Sequence, residues 1–368
     1  MQMDRRFITV GLLSGVALLG NMSAYAIEVT TATSITRSAS STSTAYSTSN
    51  AKNTNNKATE NKTTAQQNNT AFNPQSYMNE VDALIWSADT TVSPAMTVKI
   101  QTLLDWNHVS AGTIDGGWGN ASKQALINFQ RMQGLPTTGK MNADTWTALT
   151  ENIPAKQSVF TSYTITTSDI RTPLAKLPTS NADKALADGL YFETVEEMLA
   201  ERFHMSLAYI RKLNPQATYK VGETINVINT GKDLSSPISH IRIIRKDNTL
   251  YAYNKTGIIA AYPVMVGSSS LSVPTGSYTI TNRTANPWYK ATTTDKAGKS
   301  QVHMLPPGAN NPYGVLRLGF DKADYGIHGA PSPEAVLLPS AVGEIRMTNW
   351  DVQELADNIK LGTTVEIR

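Results

Sequence analysis

The chain has no cysteine in 368 residues. That absence excludes disulfides, thiolate metal sites and thiol nucleophiles together. An excess of one charge is also missing. Lys and Arg number 32 against 29 Asp and Glu, a net charge of +3, and no long basic block occurs, so electrostatics give no case for nucleic acid. Aromatic residues are modest at 7%. Long apolar runs are scarce too: beyond one stretch near the N-terminus, none is long enough to cross a bilayer. The length is more than a single core usually serves, so two or three domains are expected.

The apolar stretch has a specific setting. Arg5 and Arg6 precede Phe7–Gly20, "FITVGLLSGVALLG", and "SAYA" then places Ala24 and Ala26 at small-residue positions. A basic start, a short apolar run and an A-x-A ending read as a secretory signal peptide over residues 1–26, leaving no membrane span once cleaved. The chain is therefore expected to be exported, to the periplasm or cell envelope. In an oxidising compartment, a sequence free of thiols avoids wrong pairing. Residues 27–72 are rich in Ser, Thr and Asn, with too little to bury to offset their ordering entropy, and read as a disordered tether.

Order is expected from residue 73. "PAMTVKIQTLLDWNHVS" carries Val98, Leu103 and Leu104 at near-helical spacing, and "SKQALINFQRMQGL" repeats this with Leu126, Phe129 and Met132. The punctuation of "AGTIDGGWGN" forces a tight loop between them. Gly134 is placed to end the second helix, and Asn142 to cap a third. The run from Gln101 through Asp115, Gly116, Trp118, Gly119, Phe129, Gln130, Gly134 and Gly139 to Trp146 resembles the three-helix peptidoglycan-binding domain of cell-wall hydrolases. The resemblance assigns residues 73–152 to such a bundle. Phe129 and Trp146 read as core residues, and the loop of Asp115, Gly116, Trp118 and Gly119 as the candidate contact with glycan or peptide.

A polar connector is expected over 153–182. In 183–232, Val195, Met198, Leu199 and Phe203 share a helical face, Ser206 can cap a second helix carrying Leu207, Ile210 and Leu213, and "GETINV" reads as a strand. Helix, helix, "LNP" and "VGxxIxV" resemble a LysM-like α/β module, which implies glycan binding. His204, alone between the helices, reads as structural.

From residue 238 the period changes to two. "HIRIIRKDNTLYAYN", "GIIAAYPVMVG", "GSYTITNR" and "GVLRLGF" are short strands parted by Gly and Pro loops, which predicts an all-β sandwich. One C-terminal helix follows, with Asn349 expected as its cap. Residues 238–368 resemble the YkuD-type catalytic domain of L,D-transpeptidases through "YPVMVG", "PTG", "NPW", "LPPGANNPYG", "YGIHG", "IRMTNWDVQEL" and "GTTVEI". The whole chain is thus expected to be a multidomain α+β protein.

That family's active motif reads Ser/Thr-His-Gly-Cys-x-Arg, with a cysteine that attacks the stem-peptide carbonyl and a histidine that accepts its proton. Aligned on Gly343 and Arg346, the histidine position is Val342 and the cysteine position Glu344. The resemblance leaves His328, Gly329, Gly343, Arg346, Trp288 and Tyr313 as groove residues. Losing a nucleophile from such a catalytic unit costs on the order of 10⁶ in rate, and what binding and oxyanion donors retain is about 10³ over water. The reading is a pseudoenzyme without catalytic residues, cofactor or metal, whose partners are peptidoglycan glycan strands and stem peptides, and active wall enzymes. An enzymatic alternative uses Glu344 as a general base for water, with His328 or a metal held by His303, His328 and Glu344. A third reading is a structural partner of another protein. For Arg346 the resemblance implies a residue that holds the active-site loop and faces substrate carboxylates; two residues from Glu344, it is alternatively placed to pair with that carboxylate and plug the pocket.

Overall fold

Helix starts in the N-terminal part are written by caps. Asn73 accepts from the Ser76 amide and places Pro74 in the first turn of α1 (Pro74–Ala83), where a missing N–H costs nothing. Ser93 does the same for α2 (Pro94–Trp106). After α3 (Asn120–Met132), Asn142 caps α4 (Ala143–Thr150) as expected. The computed structural model describes residues 72–154, 156–267, 273–322, 324–337 and 344–368. The signal peptide, the tether up to residue 71, and Val342 and Gly343 lie outside the described residues.

The 153–182 segment is more than a connector. It supplies β1 (Phe160–Thr164), followed by α5 (Thr167–Arg171) under a Thr166–Asp169 capping box and α6 (Asn181–Lys184). Strand β1 was hidden by its exposed pattern, in which Phe160 alone is buried. Helices α7 (Val195–Arg202) and α8 (Leu207–Leu213), capped by Thr194 and Ser206, lead to β2 (Thr224–Ile228). Strands β1 and β2 pair antiparallel from Phe160 opposite Ile228 to Thr164 opposite Thr224.

The remaining strands are β3 (His240–Ile244), β4 (Thr249–Tyr253), β5 (Ile258–Pro263), β6 (Met265–Val266), β7 (Gly276–Ala285), β8 (Tyr289–Thr294), β9 (Ser300–Leu305), β10 (Leu316–Phe320), β11 (Gly326–His328), β12 (Ile345–Arg346) and β13 (Thr364–Ile367). Nine of them form one sheet in the order β5-β4-β3-β13-β7-β10-β11-β12-β6. Strands β5 and β6 stand at opposite ends of that order yet are separated by Val264 alone, so the sheet must curl back on itself. Strands β8 and β9 form a separate hairpin. Helix α9 (Asn349–Asn358) packs on β10 and β11, and its cap is Thr348 rather than Asn349. Asn349 is used differently, as shown below.

The modules share their cores. Met78, Val81, Ala95 and Val98 from α1 and α2 are buried with Leu199, Ile210 and Val227. Met96, Ile100, Leu126 and Phe129 are buried with Tyr251 and Ala261 of the large sheet. The expected three-helix bundle therefore has a fourth helix, α1, whose apolar face belongs to the neighbouring α/β unit. Among the described residues, no helix is long and apolar enough to cross a membrane.

Candidate functional site

Strand β11 carries the His-Gly pair into the sheet. Ile327 and His328 pair in parallel with Ile345 and Arg346 of β12, which sets Glu344, just ahead of β12, beside His328. Both are buried, Glu344 with 2% exposure. Two opposed glycines, Gly314 and Gly329, let the chain close here. A Cβ on either would overlap Asn349 Oδ1, and Gly314 also has φ +59°. Asn349 Oδ1 accepts from the Val315 amide at 3.1 Å, and its Nδ2 donates to Glu201 Oε1 at 2.8 Å and to the Ala309 carbonyl at 3.2 Å. One side chain thus braces the 309–315 loop and the His-Gly turn against α7.

Glu344 is paired with Arg317 and not with Arg346, the nearer arginine in sequence. Arg317 on β10 donates to Glu344 Oε1 from Nε at 3.0 Å and from a terminal nitrogen at 2.6 Å. Period two explains the swap: Arg317 is the cation in "GVLRLGF" that must face one side of a buried strand, and its side points to Glu344. Oε2 accepts no hydrogen bond among the described residues. Burial pushes the Glu344 carboxyl above its usual range, with the Arg317 charge pulling the other way. Arg346 sits half-buried on β12, where burial lowers its pKa against the influence of Tyr289.

His328 donates from Nδ1 to the Gly329 carbonyl at 2.6 Å, which leaves Nε2 as a lone pair 3.8 Å from Glu344 Oε2. Burial, reinforced by Arg346 and Arg317, takes its pKa down to about 3. At neutral pH the histidine is uncharged, so its approach to Glu344 is not an ion pair. Tyr313 meets His328 edge-on at 4.8 Å and lies under Arg317, whose guanidinium is 5.3 Å from the ring centroid. Tyr289 meets Tyr313 edge-on, also at 4.8 Å.

The structure brings together His328, Gly329, Glu344 and Tyr313 from the expected set. Trp288 stands at the foot of the β8–β9 hairpin and is 56% exposed; its neighbour Tyr289 is the ring that touches the cluster. His303 lies on β9 opposite Ala291. Among the described residues no three His, Asp or Glu are placed to hold a metal ion, so His303, His328 and Glu344 do not converge. Arg317 and Asn349 were missed. A lone cation in an apolar period-two strand was the available signal for the first; nothing local marks the second.

The loop of the helical bundle has its own internal bracing. Gln101 Oε1 accepts from the Asp115 and Gly116 amides at 3.1 and 3.0 Å, and its Nε2 donates to Asp115 Oδ1 at 2.9 Å. Asp115 Oδ1 also accepts from the Gly117 amide. Asp115 and Gly119 remain exposed, whereas Trp118 is half-buried against the bundle core.

Residues 239–367 match the YkuD family, described as "L,D-transpeptidase catalytic domain". Residues 95–149 match the family described as "Putative peptidoglycan binding domain". Among curated proteins, the chain is 30% identical over 171 residues to "Putative L,D-transpeptidase YkuD" of Bacillus subtilis, covering 46% of this chain and 90% of that protein. It is 25% identical over 181 residues to "Probable L,D-transpeptidase ErfK/SrfK" of Salmonella typhimurium, covering 46% and 58%. A solved L,D-transpeptidase from Xylanimonas cellulosilytica aligns at 14% identity over 74% of this chain and 93% of that one, with a TM-score of 0.34. The chain belongs to the YkuD-type L,D-transpeptidase family, and it joins that domain to a peptidoglycan-binding one.

Proposed function

We propose that this chain is an exported wall-binding pseudoenzyme: it recognises peptidoglycan through its accessory modules and has lost acyl transfer at its transpeptidase site. One observation carries the reading. The position where the family resemblance places the nucleophile holds Glu344, buried and bound by Arg317. A carboxylate is a far weaker nucleophile toward an amide than a thiolate. A general base needs a water at its oxygen, and a side chain with 2% exposure clamped by a guanidinium offers none a path. His328 still has a free lone pair, but the chain holds no thiol for it to deprotonate.

The α7–α8 pair lying between the paired strands β1 and β2 supports a LysM-like unit that begins near residue 159 instead of 183. Binding to glycan strands, a periplasmic or cell-envelope location, and a scaffolding role beside active wall enzymes follow from this reading. The exposed Asp115–Gly119 loop, Trp288 and the Tyr313 face are the candidate contact points. Sedimentation with purified sacculi, combined with intact-protein mass spectrometry after exposure to a carbapenem, tests both halves. The protein is expected to pellet with the sacculi and to keep its unmodified mass. A soluble protein, or a covalent adduct, overturns the proposal.

A further inference from the structure

Residues 174–192 form a loop whose two ends meet. Leu174 pairs with Phe192 in an isolated bridge, and the Ala175 amide donates to the Phe192 carbonyl at 3.0 Å. The Leu177 amide donates to Glu193 Oε1 at 2.8 Å. Within this loop, which contains α6, only Gly189 and Leu190 are buried, and Leu186 is exposed. A segment closed at its root and anchored by a single large side chain has little to keep it from lifting as a unit.

What Leu190 anchors lies beside the candidate site. Its side chain is buried with Ala291 of β8 and Leu305 of β9, and Leu177, Ala185 and Tyr289 pack around the three. Ala291 and Leu305 are the only buried residues of β8 and β9. Loop and hairpin therefore hang on the same small core, which is separate from the core of the large sheet.

The backbone repeats the grip. The Leu190 amide donates to the Pro307 carbonyl, and the Leu190 carbonyl accepts from the Asn310 amide, both at 2.8 Å. Asn310 Nδ2 donates to the Tyr191 carbonyl and to Glu197 Oε1, both at 2.9 Å. Gly308, at φ +146°, lies so close that a Cβ there would overlap the Leu190 backbone.

From this core a line of contacts reaches the pocket. Tyr289 packs on Leu190 and meets Tyr313 edge-on, and Tyr313 meets His328. The two sides of the line differ in strength. Asn349 holds the 309–315 loop from α9, an element seated in the core of the large sheet. On the other side stand three apolar side chains and a few hydrogen bonds near the surface. A satellite core of that size belongs to the low end of local stability.

We propose that residues 174–192 are an autoinhibitory strap: through Leu190 they pin the β8–β9 hairpin and the 305–311 loop over the Glu344–His328 pocket, and lifting the strap opens it. The strap runs directly into α7, whose Glu197 takes the Asn310 side chain, so the accessory unit sets whether the pocket is closed. The inference holds or fails independently of wall binding, because no ligand enters its measurements.

Hydrogen exchange of the full chain near neutral pH tests the separate opening. The Leu190 and Asn310 amides, whose bonds cross between strap and loop, are expected to exchange with one common protection. That protection is expected to be at least about tenfold below that of the Met347 amide, which donates to the His328 carbonyl at 2.9 Å. Protection equal to that of Met347, or different between Leu190 and Asn310, overturns the inference. Diethyl pyrocarbonate, which modifies an uncharged histidine nitrogen, reads the pocket itself, since His328 Nε2 carries a free lone pair. Leu190→Ala is expected to raise the rate of His328 modification at least about tenfold by emptying the small core, as located by peptide mass spectrometry. His204 and His108, held by Asp105 and Glu354, are expected to keep their rates. Leu190→Met, which preserves volume, is expected to stay near the parent rate at His328. An unchanged His328 in Leu190→Ala overturns the inference. A rise shared by His108 and His204 would show that the strap does not open by itself and overturns it as well. The exchange measurement needs no variant, so a misfolded mutant cannot mask the answer.

Discussion

Glu344 and Arg317 form the pair on which the site's chemistry turns. Taking both out of water is expensive, and their attraction repays it only with good geometry. The 2.6 Å and 3.0 Å contacts on one carboxylate oxygen supply that geometry. Removing one partner therefore costs more than removing both. Arg317→Met is expected to destabilise the protein by about 3–5 kcal/mol, since it strands a buried carboxyl. Arg317→Met with Glu344→Leu is expected to recover most of the loss, and urea denaturation of the three proteins checks the order. Asp351 and Glu201 act through protons instead. Both have folded pKa values raised above their unfolded ones, about 7 and about 8, so between roughly pH 4 and pH 7 the folded state holds protons that the unfolded state has lost. Their contribution is complete below the unfolded values and disappears as pH rises through the folded ones. Asp351→Asn should thus gain stability relative to the parent as pH climbs from 4 to 7, visible as converging or crossing melting temperatures. A constant difference would count against a raised pKa at Asp351.

At the scale of the elements, Asn349 is the tie between the His-Gly turn, the 309–315 loop and α7. Gly329→Ala is expected to cost about 2–4 kcal/mol, because the new methyl would have to displace a side chain that holds three hydrogen bonds. Thermal or urea unfolding measures it, and a neutral result would mean that the turn tolerates rearrangement. Gln101 plays the matching part in the helical bundle. Gln101→Ala is expected to cost roughly 1–3 kcal/mol by leaving the Asp115 and Gly116 amides without their acceptor. Most of these elements were legible in the sequence, since Asn142 and Ser206 are capping residues at the right offsets and β3 alternates cleanly. Strand β1 was not legible: four of its five residues are exposed or half-buried, so no apolar alternation marked it. The cap of α9 was misread by one residue because Thr348 and Asn349 are both good caps. Only the tertiary contact with Gly314 and Gly329 shows that Asn349 is committed elsewhere.

For the whole molecule, sequence patterning separated three modules but could not show that they share interiors. Val98 on α2 is buried among residues of the α7–α8 unit, and Met96, two positions away, among residues that reach the large sheet. A helix that buries two faces against two neighbours reads from sequence like an ordinary amphipathic one. Calorimetry of the chain is therefore expected to give one cooperative transition, where beads on a string would give three. The absence of cysteine was fully legible, because a missing residue type needs no fold to be noticed. The cation that pairs with Glu344 was not, since Arg317 lies 27 positions away and meets it only across the β10–β11–β12 register. The most direct measurement of the central claim is muropeptide analysis of purified sacculi incubated with the protein. The profile is expected to match the untreated control, and new L,D cross-links or shortened stem peptides that vanish with Glu344→Gln would contradict the loss of catalysis.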